Sequence, residues 1–333
     1  IMVTIAIDAM GGDFGPRVTA PAVISSLEKL PDLQIKLYGH RAKLDPYLHQ
    51  ATASARLEVI HTDEQVTNGE KTSAALRKRQ SSMRLALDAV RSEQAQAMVS
   101  AGNTGALVAL SRYVLKTLLG IDRPALIARL PNVRGYSYVL DLGANVECDS
   151  ENLHQFALMG CAYARVMGAG KSPKVGLLNI GSEEVKGNEE IRLANASLKE
   201  SDVINYVGYV EGDDLYKGVV DVVVTNGFAG NIALKTSEGF VLYVTHTIRR
   251  AFAKNIFTRL VGFMAIPILE AVRKSFEPDL KNSGVLLGVQ GVVVKSHGKS
   301  QQSAFCQAIE NAYTLAKNDL LDQISDQLDQ EII

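Results

Sequence analysis

The chain has 333 residues, of which 47% are hydrophobic and 21% are charged, and its formal net charge at pH 7 is −1. This length accommodates one large α/β domain, or two intimate subdomains, with an ample apolar core. The nearly neutral charge argues against a protein that binds nucleic acid, because such binding requires a basic surface.

Cysteine usage and the N-terminus indicate the compartment. Three scattered cysteines, Cys148, Cys161 and Cys306, form no paired framework and no CxxC motif, which is typical of a reducing cytoplasm. The chain enters its first strand pattern without the basic region of a secretory signal. No apolar run reaches the ~20 residues needed to span a bilayer. We therefore expect a cytoplasmic protein.

Apolar strand patterns alternate with helical patterns along the chain. The predicted strands cover residues 3–8, 33–38, 57–60, 96–99, 124–130, 137–142, 174–180, 203–209, 219–225 and 291–295. The predicted helices are Pro16–Lys29, Thr72–Gln94, Thr104–Leu118, Glu151–Met167, Glu189–Glu200, a broken segment Ala229–Phe276, and one or two helices in Ser300–Gln330. This alternation predicts a doubly wound, mostly parallel sheet. An antiparallel hairpin of 124–130 and 137–142 stays open as an alternative.

Short clusters of Gly, Asn, Asp and Ser follow five of the predicted strands. They lie at residues 8–13, 100–105, 141–145, 179–188 and 226–231. We expect the carboxyl ends of parallel strands to bring these clusters to one edge of the sheet, where ligands of α/β proteins bind. Glycine lets backbone N–H groups approach a ligand, and helix N-termini add positive dipole ends. The pattern therefore predicts a site for an anion such as phosphate.

Carboxamides and one lysine stand out within these clusters. A single Asn in a glycine-rich turn is usually a turn residue or a helix cap. Asn103, Asn145 and Asn231 all lie in such segments, which favours neutral donors that hold a phosphate oxygen or an oxyanion. Lys186 precedes Gly187 and the next predicted helix, a placement that favours an anion-facing lysine over a solvated one.

Other polar residues allow weaker hypotheses. Asp8, Asp13, Asp141 and Asp149 could meet at the sheet edge and bind Mg²⁺, but capping and turn roles are more usual, so we predict no metal. No GxGxxG or HExxH motif appears, and we predict no cofactor. Arg77 and Arg84 share a face of one predicted helix, ordinarily a solvated basic face. His297 follows the strand at 291–295 and is more often structural in such a place.

The helical arm at 240–276 is unusual in composition. It contains six Lys or Arg residues against Glu270 alone, around the apolar run Leu260–Leu269. Pro267 is expected to kink or end a helix there. The pattern indicates either an interfacial helix that meets lipid through residues such as Leu260, Phe263 and Met264, or a dimer-interface helix with a buried apolar stripe.

Taken together, the polar segments resemble the family of bacterial phosphate acyltransferases. The similarity runs in one order from residue 5 to 298, and its main carriers are IAIDAMGGDFGP, SAGNTGAL, LDLGANVECD, LLNIGSEEVKGNE, VTNGFAGNIALKTSEG and VVKSHG. The resemblance implies a Rossmann-like α/β fold, related to phosphotransacetylases and isopropylmalate dehydrogenases, with a protruding arm at 240–280. It also implies a homodimer, and an enzyme that makes acyl phosphate from acyl-[acyl-carrier protein] and orthophosphate in phospholipid synthesis.

The resemblance also implies roles for individual residues. Lys186 and Asn231 are the expected catalytic residues. The expected substrate- and phosphate-binding residues are Asp8, Gly11, Gly12, Arg77, Asn103, Thr104, Asn145, Gly227 and His297. The expected partners are the acyl carrier, orthophosphate, a second copy of the chain, the membrane surface and a downstream membrane acyltransferase. Two alternatives are a metal- and NAD-dependent dehydrogenase of a related fold and a non-catalytic, membrane-docked carrier-protein scaffold.

Overall fold

The computed structural model describes residues 2–48, 55–280 and 283–332, without the side chains of 273–280 and 332. The strands are β1 (Val3–Asp8), β2 (Leu33–Gly39), β3 (Leu57–His61), β4 (Ala97–Ser100), β5 (Ala125–Asn132), β6 (Gly135–Leu140), β7 (Lys174–Leu178), β8 (Asn205–Val210), β9 (Val222–Val224), β10 (Gly284–Leu287) and β11 (Val292–Lys295). The helices are α1 (Pro16–Lys29), α2 (Arg41–Leu48), α3 (Thr72–Ala75), α4 (Ser82–Arg91), α5 (Thr104–Leu115), α6 (Ser150–Val166), α7 (Glu189–Glu200), α8 (Asp214–Lys217), α9 (Gly227–Ala253), α10 (Ile256–Leu280), α11 (Gln302–Lys317) and α12 (Leu320–Ile332).

All the strands belong to one 11-stranded sheet in the order β3-β2-β1-β4-β11-β10-β5-β6-β9-β7-β8. The strands from β3 to β11 are mutually parallel, and so are those from β6 to β8. Between the two sets, β10 is antiparallel to both of its neighbours, and β5 and β6 form an antiparallel hairpin. Three successive reversals therefore make the second parallel set run opposite to the first.

The strand directions overturn the expectation of one ligand-binding edge. The clusters after β1 and β4 follow strands of the first set, whereas those after β6, β7 and β9 follow strands of the second. Carboxyl ends of oppositely directed strands point to opposite edges of a sheet. Asp8 and Asp13 therefore do not converge with Asp141 and Asp149 by way of the sheet edge.

Helices cover both faces of the sheet. On one face α1, α2, α6, α11 and α12 pack on a large core that includes Ile5, Leu37 and Phe156. On the other face α4 and α5 bury a second core around Met83, Leu87 and Leu110. A smaller apolar cluster lies beneath α8. The predicted doubly wound, mostly parallel α/β architecture is confirmed.

Local signals explain several differences from the predicted elements. The helix predicted over Thr72–Gln94 divides into α3 and α4, because the side chain of Ser81 accepts a hydrogen bond from the N–H of Arg84 and starts a new helix. The hairpin alternative for β5 and β6 is confirmed. β10 was not predicted, since four residues, GVLL, give too short a pattern.

The arm is formed by α9 from residue 240 onward and by α10, and the two helices pack against each other. The helix break lies at 254–255 rather than at Pro267, because the Asn255 side chain accepts a hydrogen bond from the N–H of Thr258 (2.9 Å) and caps α10. α10 continues through Pro267, so of the expected kink or end at this proline, the end is excluded. Leu260, Phe263 and Met264 are 60–74% exposed in this chain.

Candidate active site

A buried aspartate organises the loops at the carboxyl ends of β1 and β4. Asp8 is 2% exposed and accepts hydrogen bonds from the hydroxyls of Ser82 (2.6 Å) and Ser100 (2.7 Å) and from the N–H of Met10 (3.2 Å). Its burial raises the pKa of the carboxyl above its ordinary value, although each hydrogen bond acts in the opposite direction. The carboxylate therefore fastens the chain's own loops together.

A buried lysine lies two strands away from Asp8, at the same level of the sheet. Asp8, Ser100 and Lys295 are in register on β1, β4 and β11. Lys295 is buried, and its ammonium donates to the carbonyls of Ala101 (3.5 Å) and Ser296. Burial lowers the pKa of Lys295 to about 8, against the attraction of Asp8. We call Asp8, Ser82, Ser100 and Lys295 the N-terminal polar cluster.

The two glycines after β1 allow close contact between loops. A Cβ on Gly11 would lie 2.6 Å from the backbone nitrogen of Gly102 and 2.8 Å from an Asp8 oxygen. Gly12 has φ +84°, and a Cβ there would lie 3.0 Å from the Gly298 carbonyl oxygen. A side chain at either position would push these loops apart. The structure thus brings Asp8, Gly11 and Gly12 together with the loop after β11.

Asn103 and Thr104 lie at the start of α5. The Asn103 side chain accepts from the N–H of Ala106 (3.0 Å), and its amide donates to the carbonyl of Asn68 (2.6 Å). The Asn68 amide in turn donates to Asp13 (2.5 Å). Asn103 is therefore a helix cap that also holds the loop before α3. Thr104, the first residue of α5, is partly exposed beside it.

His297 occupies the same edge as the N-terminal polar cluster. It is half-buried after β11, and burial lowers its pKa. The charges of Glu238 and Lys235 on α9 also shift the pKa of His297, in opposite directions. These residues of α9 therefore lie near this edge of the sheet. α9 begins at the opposite edge, after β9, so it spans between the two sets of loops.

A second buried aspartate organises the turn after β6. Asp141 is fully buried and accepts from the N–H groups of Leu126 (2.9 Å), Gly143 (3.2 Å), Ala144 (3.0 Å) and Asn145 (2.6 Å) and from the Asn145 side-chain amide (3.0 Å). Burial raises the pKa of this carboxyl as well. A single side chain therefore fixes the whole turn.

Asn145 ties this turn to the start of α9. Its side-chain amide also donates to the carbonyl of Pro124 (2.7 Å), and its own carbonyl accepts from the N–H of Gly227 (2.8 Å). A Cβ on Gly227 would lie 2.2 Å from that carbonyl oxygen, so only glycine fits there. We call Asp141, Asn145 and Gly227 the C-terminal polar cluster.

Asn231 lies beside the C-terminal polar cluster, but not in a turn as the sequence suggested. Asn226 caps α9, whose helix starts at Gly227, so Asn231 is on the second helical turn and is exposed. A Cβ on Gly143 would lie 3.4 Å from the Asn231 Cβ. The structure thus brings Asn145, Gly227 and Asn231 together.

Lys186 follows β7, at the same edge of the sheet as the loops after β6 and β9, and no hydrogen bond among the described residues joins its side chain to either cluster. It is exposed in the loop between β7 and α7, and within the residues that the structure describes its ammonium forms no hydrogen bond or ion pair. The Asn179 amide donates to the Lys186 carbonyl (3.3 Å), and Gly187 has φ +87°. Asn188 then caps α7. The loop backbone is fixed while the ammonium stays available to an anion.

A groove of about 520 Å³ runs along one face of α5. It is lined by Leu76, Gly105, Val108, Ala109, Arg112, Tyr113, Pro124, Gly143, Ala144 and Asn145. Its far wall is the turn that Asp141 holds. Arg77, which follows Leu76, is exposed near this groove. The groove therefore lies between α5, which follows a strand of the first parallel set, and the turn after β6, a strand of the second set.

Sequence reasoning missed several of these features. Lys295 was not singled out, although a lysine at the end of the buried strand VVVK is a recognisable signal. The groove residues Arg112 and Tyr113 carry no motif and become visible only once α5 meets the turn after β6. Within the described ranges, no three His, Cys, Asp or Glu side chains converge closely enough to hold a metal ion.

Comparison with known proteins identifies the relatives of this chain. The model of the family described as "Fatty acid synthesis protein" matches residues 3–323. The phosphate acyltransferase of Nitrosococcus oceani is 49% identical over 330 residues, 98% of this chain and 97% of that protein. The phosphate acyltransferase of Methylococcus capsulatus is 50% identical over 311 residues, 92% of this chain and 91% of that protein.

Among solved structures, a phosphotransacetylase from Streptococcus pyogenes superposes with a TM-score of 0.60 at 15% sequence identity. The match covers 96% of this chain and 94% of that one. At this identity the similarity establishes the fold alone, and it confirms the predicted similarity in fold to phosphotransacetylases.

Proposed function

This chain is a member of the phosphate acyltransferase family, and we propose that it transfers an acyl group from the thioester of an acyl-[acyl-carrier protein] to orthophosphate. In this reaction a phosphate oxygen bonds to the thioester carbon and the carbon–sulfur bond breaks. The proton of HPO₄²⁻ ends on the released thiol, so the products are acyl phosphate and free carrier. The product would supply glycerophospholipid synthesis.

The observation that carries the proposal is the similarity to named phosphate acyltransferases over nearly the whole chain. The alternatives of a dehydrogenase and of a non-catalytic scaffold are not favoured, because the relatives that are about half identical to this chain are named phosphate acyltransferases. The chemistry also suits the residues. Phosphate is already a nucleophile near neutral pH, so the protein need only position it and stabilise the oxyanion of the tetrahedral intermediate.

We assign the positioning of phosphate and the stabilisation of the oxyanion to Lys186 and Asn231. The Lys186 ammonium, which has no partner within the described residues, would neutralise phosphate or the oxyanion. The Asn231 amide would orient one of them, at a position that the Asp141-held turn supports. The remaining candidates, Asp8, Gly11, Gly12, Arg77, Asn103, Thr104, Asn145, Gly227 and His297, would shape the surrounding loops or contact substrate.

The test is phosphate-dependent thiol release from an acyl-carrier protein. Lys186→Ala should lower turnover about 10²–10³-fold, the range for loss of one oxyanion-type donor, without loss of folding. Lys171→Ala, at another exposed loop lysine, is the matched control and should behave as wild type. A well-folded Lys186→Ala enzyme with near-normal turnover would remove Lys186 from the site.

Asn231 is tested by the order of two variants. Asn231→Asp introduces a negative charge beside a bound dianion, which at ~4 Å and an effective dielectric constant of ~20 costs several kcal/mol. Asn231→Ala should therefore reduce kcat/KM less than Asn231→Asp. The reverse order would contradict an Asn231 that faces phosphate or the oxyanion.

We further propose that the arm dimerises through its helix bodies and contacts a membrane surface through its exposed apolar residues. No helix in the part of the chain that the structure describes is long and apolar enough to cross a bilayer. A long-chain acyl phosphate is poorly soluble, so release near the bilayer would deliver it to a downstream membrane acyltransferase. The basic residues beside the apolar run suit an anionic surface.

A double variant separates the two roles of the arm. Leu260→Glu with Phe263→Glu should abolish binding to anionic vesicles while the dimer and the activity in solution persist. Vesicle binding of the wild type should also weaken as salt is raised. Dissociation of the double variant into monomers would show that this stripe is dimer interface instead.

A further inference from the structure

The face that carries α3, α4 and α5 is basic in an otherwise nearly neutral chain. Residues 70–116 contain eight Lys or Arg residues against three Asp or Glu, although the whole chain has a net charge of −1. Arg77, Arg79 and Arg112 are exposed, and none forms an ion pair within the described residues. A local excess of one charge sign attracts a partner of the opposite sign.

Tyr113 is an exposed aromatic residue on this face. It is 54% exposed, and its ring centroid lies 5.3 Å from the guanidinium of Arg84 and 5.2 Å from the ammonium of Lys116. An exposed aromatic ring close to two cations is a typical anchor of protein–protein interfaces, because it combines a rigid apolar surface with nearby charge.

The groove joins this basic face to the candidate active site. Arg112 and Tyr113 line the groove at the C-terminal half of α5, and the turn Gly143–Asn145 lines its other wall. Asn231 packs against Gly143 of the same turn. From Gly105 to Tyr113 the helix spans about 12 Å, so the groove is long enough to hold an extended chain.

We propose that this basic face is the docking surface for the acyl carrier, and that the groove receives the flexible arm on which the carrier presents its thioester. The partner is a protein with a negatively charged surface around a phosphate-linked arm, which the exposed arginines and Lys116 would bind. The proposal rests on the proposed function, because it supplies the acyl donor of that reaction. It predicts that carrier binding and chemistry depend on different residues.

The main test is the double variant Arg112→Glu with Lys116→Glu, assayed with acyl-carrier protein as substrate. KM for the carrier should rise at least 10-fold while kcat at saturation stays within about twofold. For the wild type, KM should increase with ionic strength, and the variant should lose this dependence. Arg41→Glu with Lys43→Glu makes the same charge change on α2, across the sheet, and should leave KM unchanged.

Tyr113 gives an independent readout with little risk to folding. Tyr113→Ala should raise KM about 10-fold, whereas Tyr113→Phe, which keeps the ring, should stay close to wild type. An unchanged KM in the charge-reversal and Ala variants would overturn the proposal, as would an equal rise in the α2 control or conversion of the dimer to monomers. Absence of phosphate-dependent thiol release by the wild type would instead refute the proposed function itself.

Discussion

The N-terminal and C-terminal polar clusters solve the same structural problem with different chemistry. Each places a buried carboxylate at the carboxyl end of a strand, and each uses it to hold a glycine-rich loop. Around Asp8 the donors include two side-chain hydroxyls, and a buried lysine lies in the same row. Around Asp141 all five donors are N–H groups, four of them from the backbone.

This difference determines how much change each cluster can tolerate. A hydroxyl can either donate or accept, so the Asp8 site could adapt to an uncharged amide. Backbone N–H groups can only donate, so the Asp141 site requires an acceptor at every position. The second cluster is therefore the less tolerant of an amide in place of its carboxylate, and it is the one that lies beside Asn231.

The largest expected effect is that of Asp141→Asn. One side-chain oxygen becomes an NH₂ group that faces N–H donors, and an unsatisfied buried donor costs about 1–3 kcal/mol each. We expect the free energy of unfolding to fall by about 3–5 kcal/mol in urea titrations, with a large loss of turnover. A variant within 1 kcal/mol of wild type would show that the turn does not depend on this carboxylate.

The next effect is a dependence of stability on alkaline pH, which arises from Lys295 of the N-terminal cluster. The pKa of Lys295 is lowered from 10.5 to about 8, so between these values the unfolded chain binds the proton and the folded chain does not. The cost of charging Lys295 is therefore fully present below pH 8 and is relieved as the pH rises toward 10.5.

Lys295→Met removes this titration. From pH 8 to 10.5 the free energy of unfolding of wild type should rise relative to that of the variant, by on the order of 3 kcal/mol. Urea unfolding at several pH values measures the difference. Parallel profiles for the two proteins would mean that Lys295 titrates at its ordinary pKa.

The smallest expected effect is that of Asp8→Asn. The Asn oxygen can still accept from Ser82 and Met10, and its NH₂ can donate to the hydroxyl oxygen of Ser100. At about pH 9, where Lys295 is mostly neutral and its attraction to Asp8 is largely lost, we expect a loss of about 1 kcal/mol in the free energy of unfolding, well below that of Asp141→Asn. Equal losses at the two aspartates would contradict the distinction between the clusters.

Much of the fold was accessible from the sequence because its signals are local. α1 and α7 have the predicted bounds, since Pro16 sets the start of one and Asn188 caps the other. β1 was predicted from its apolar residues and from the polar, glycine-containing segment that follows them. The glycine-rich segments were found for the same reason, since a turn that needs glycine shows it in a few consecutive residues.

The roles within the site were less accessible, because hydrogen-bond partners are distant in the sequence. Asn103 looked like a donor for phosphate, yet its amide is engaged by Asn68, 35 residues earlier. Asp8 looked like a ligand residue, yet it binds Ser82 and Ser100. Whether a side chain can bind a ligand depends on whether its polar atoms already form hydrogen bonds with other residues.

The sequence by itself determined most of the elements, the glycine-rich loops and the family, because each depends on residues close together or on whole-chain similarity. The tertiary structure alone decided where those loops meet. β10, contributed by residues 284–287, inserts between β11 and β5 and helps to reverse the second strand set. Strand pairing over such a separation leaves no local pattern. Only the folded chain therefore shows that the two aspartates hold separate groups of loops, and that the groove along α5 ends at the turn held by Asp141.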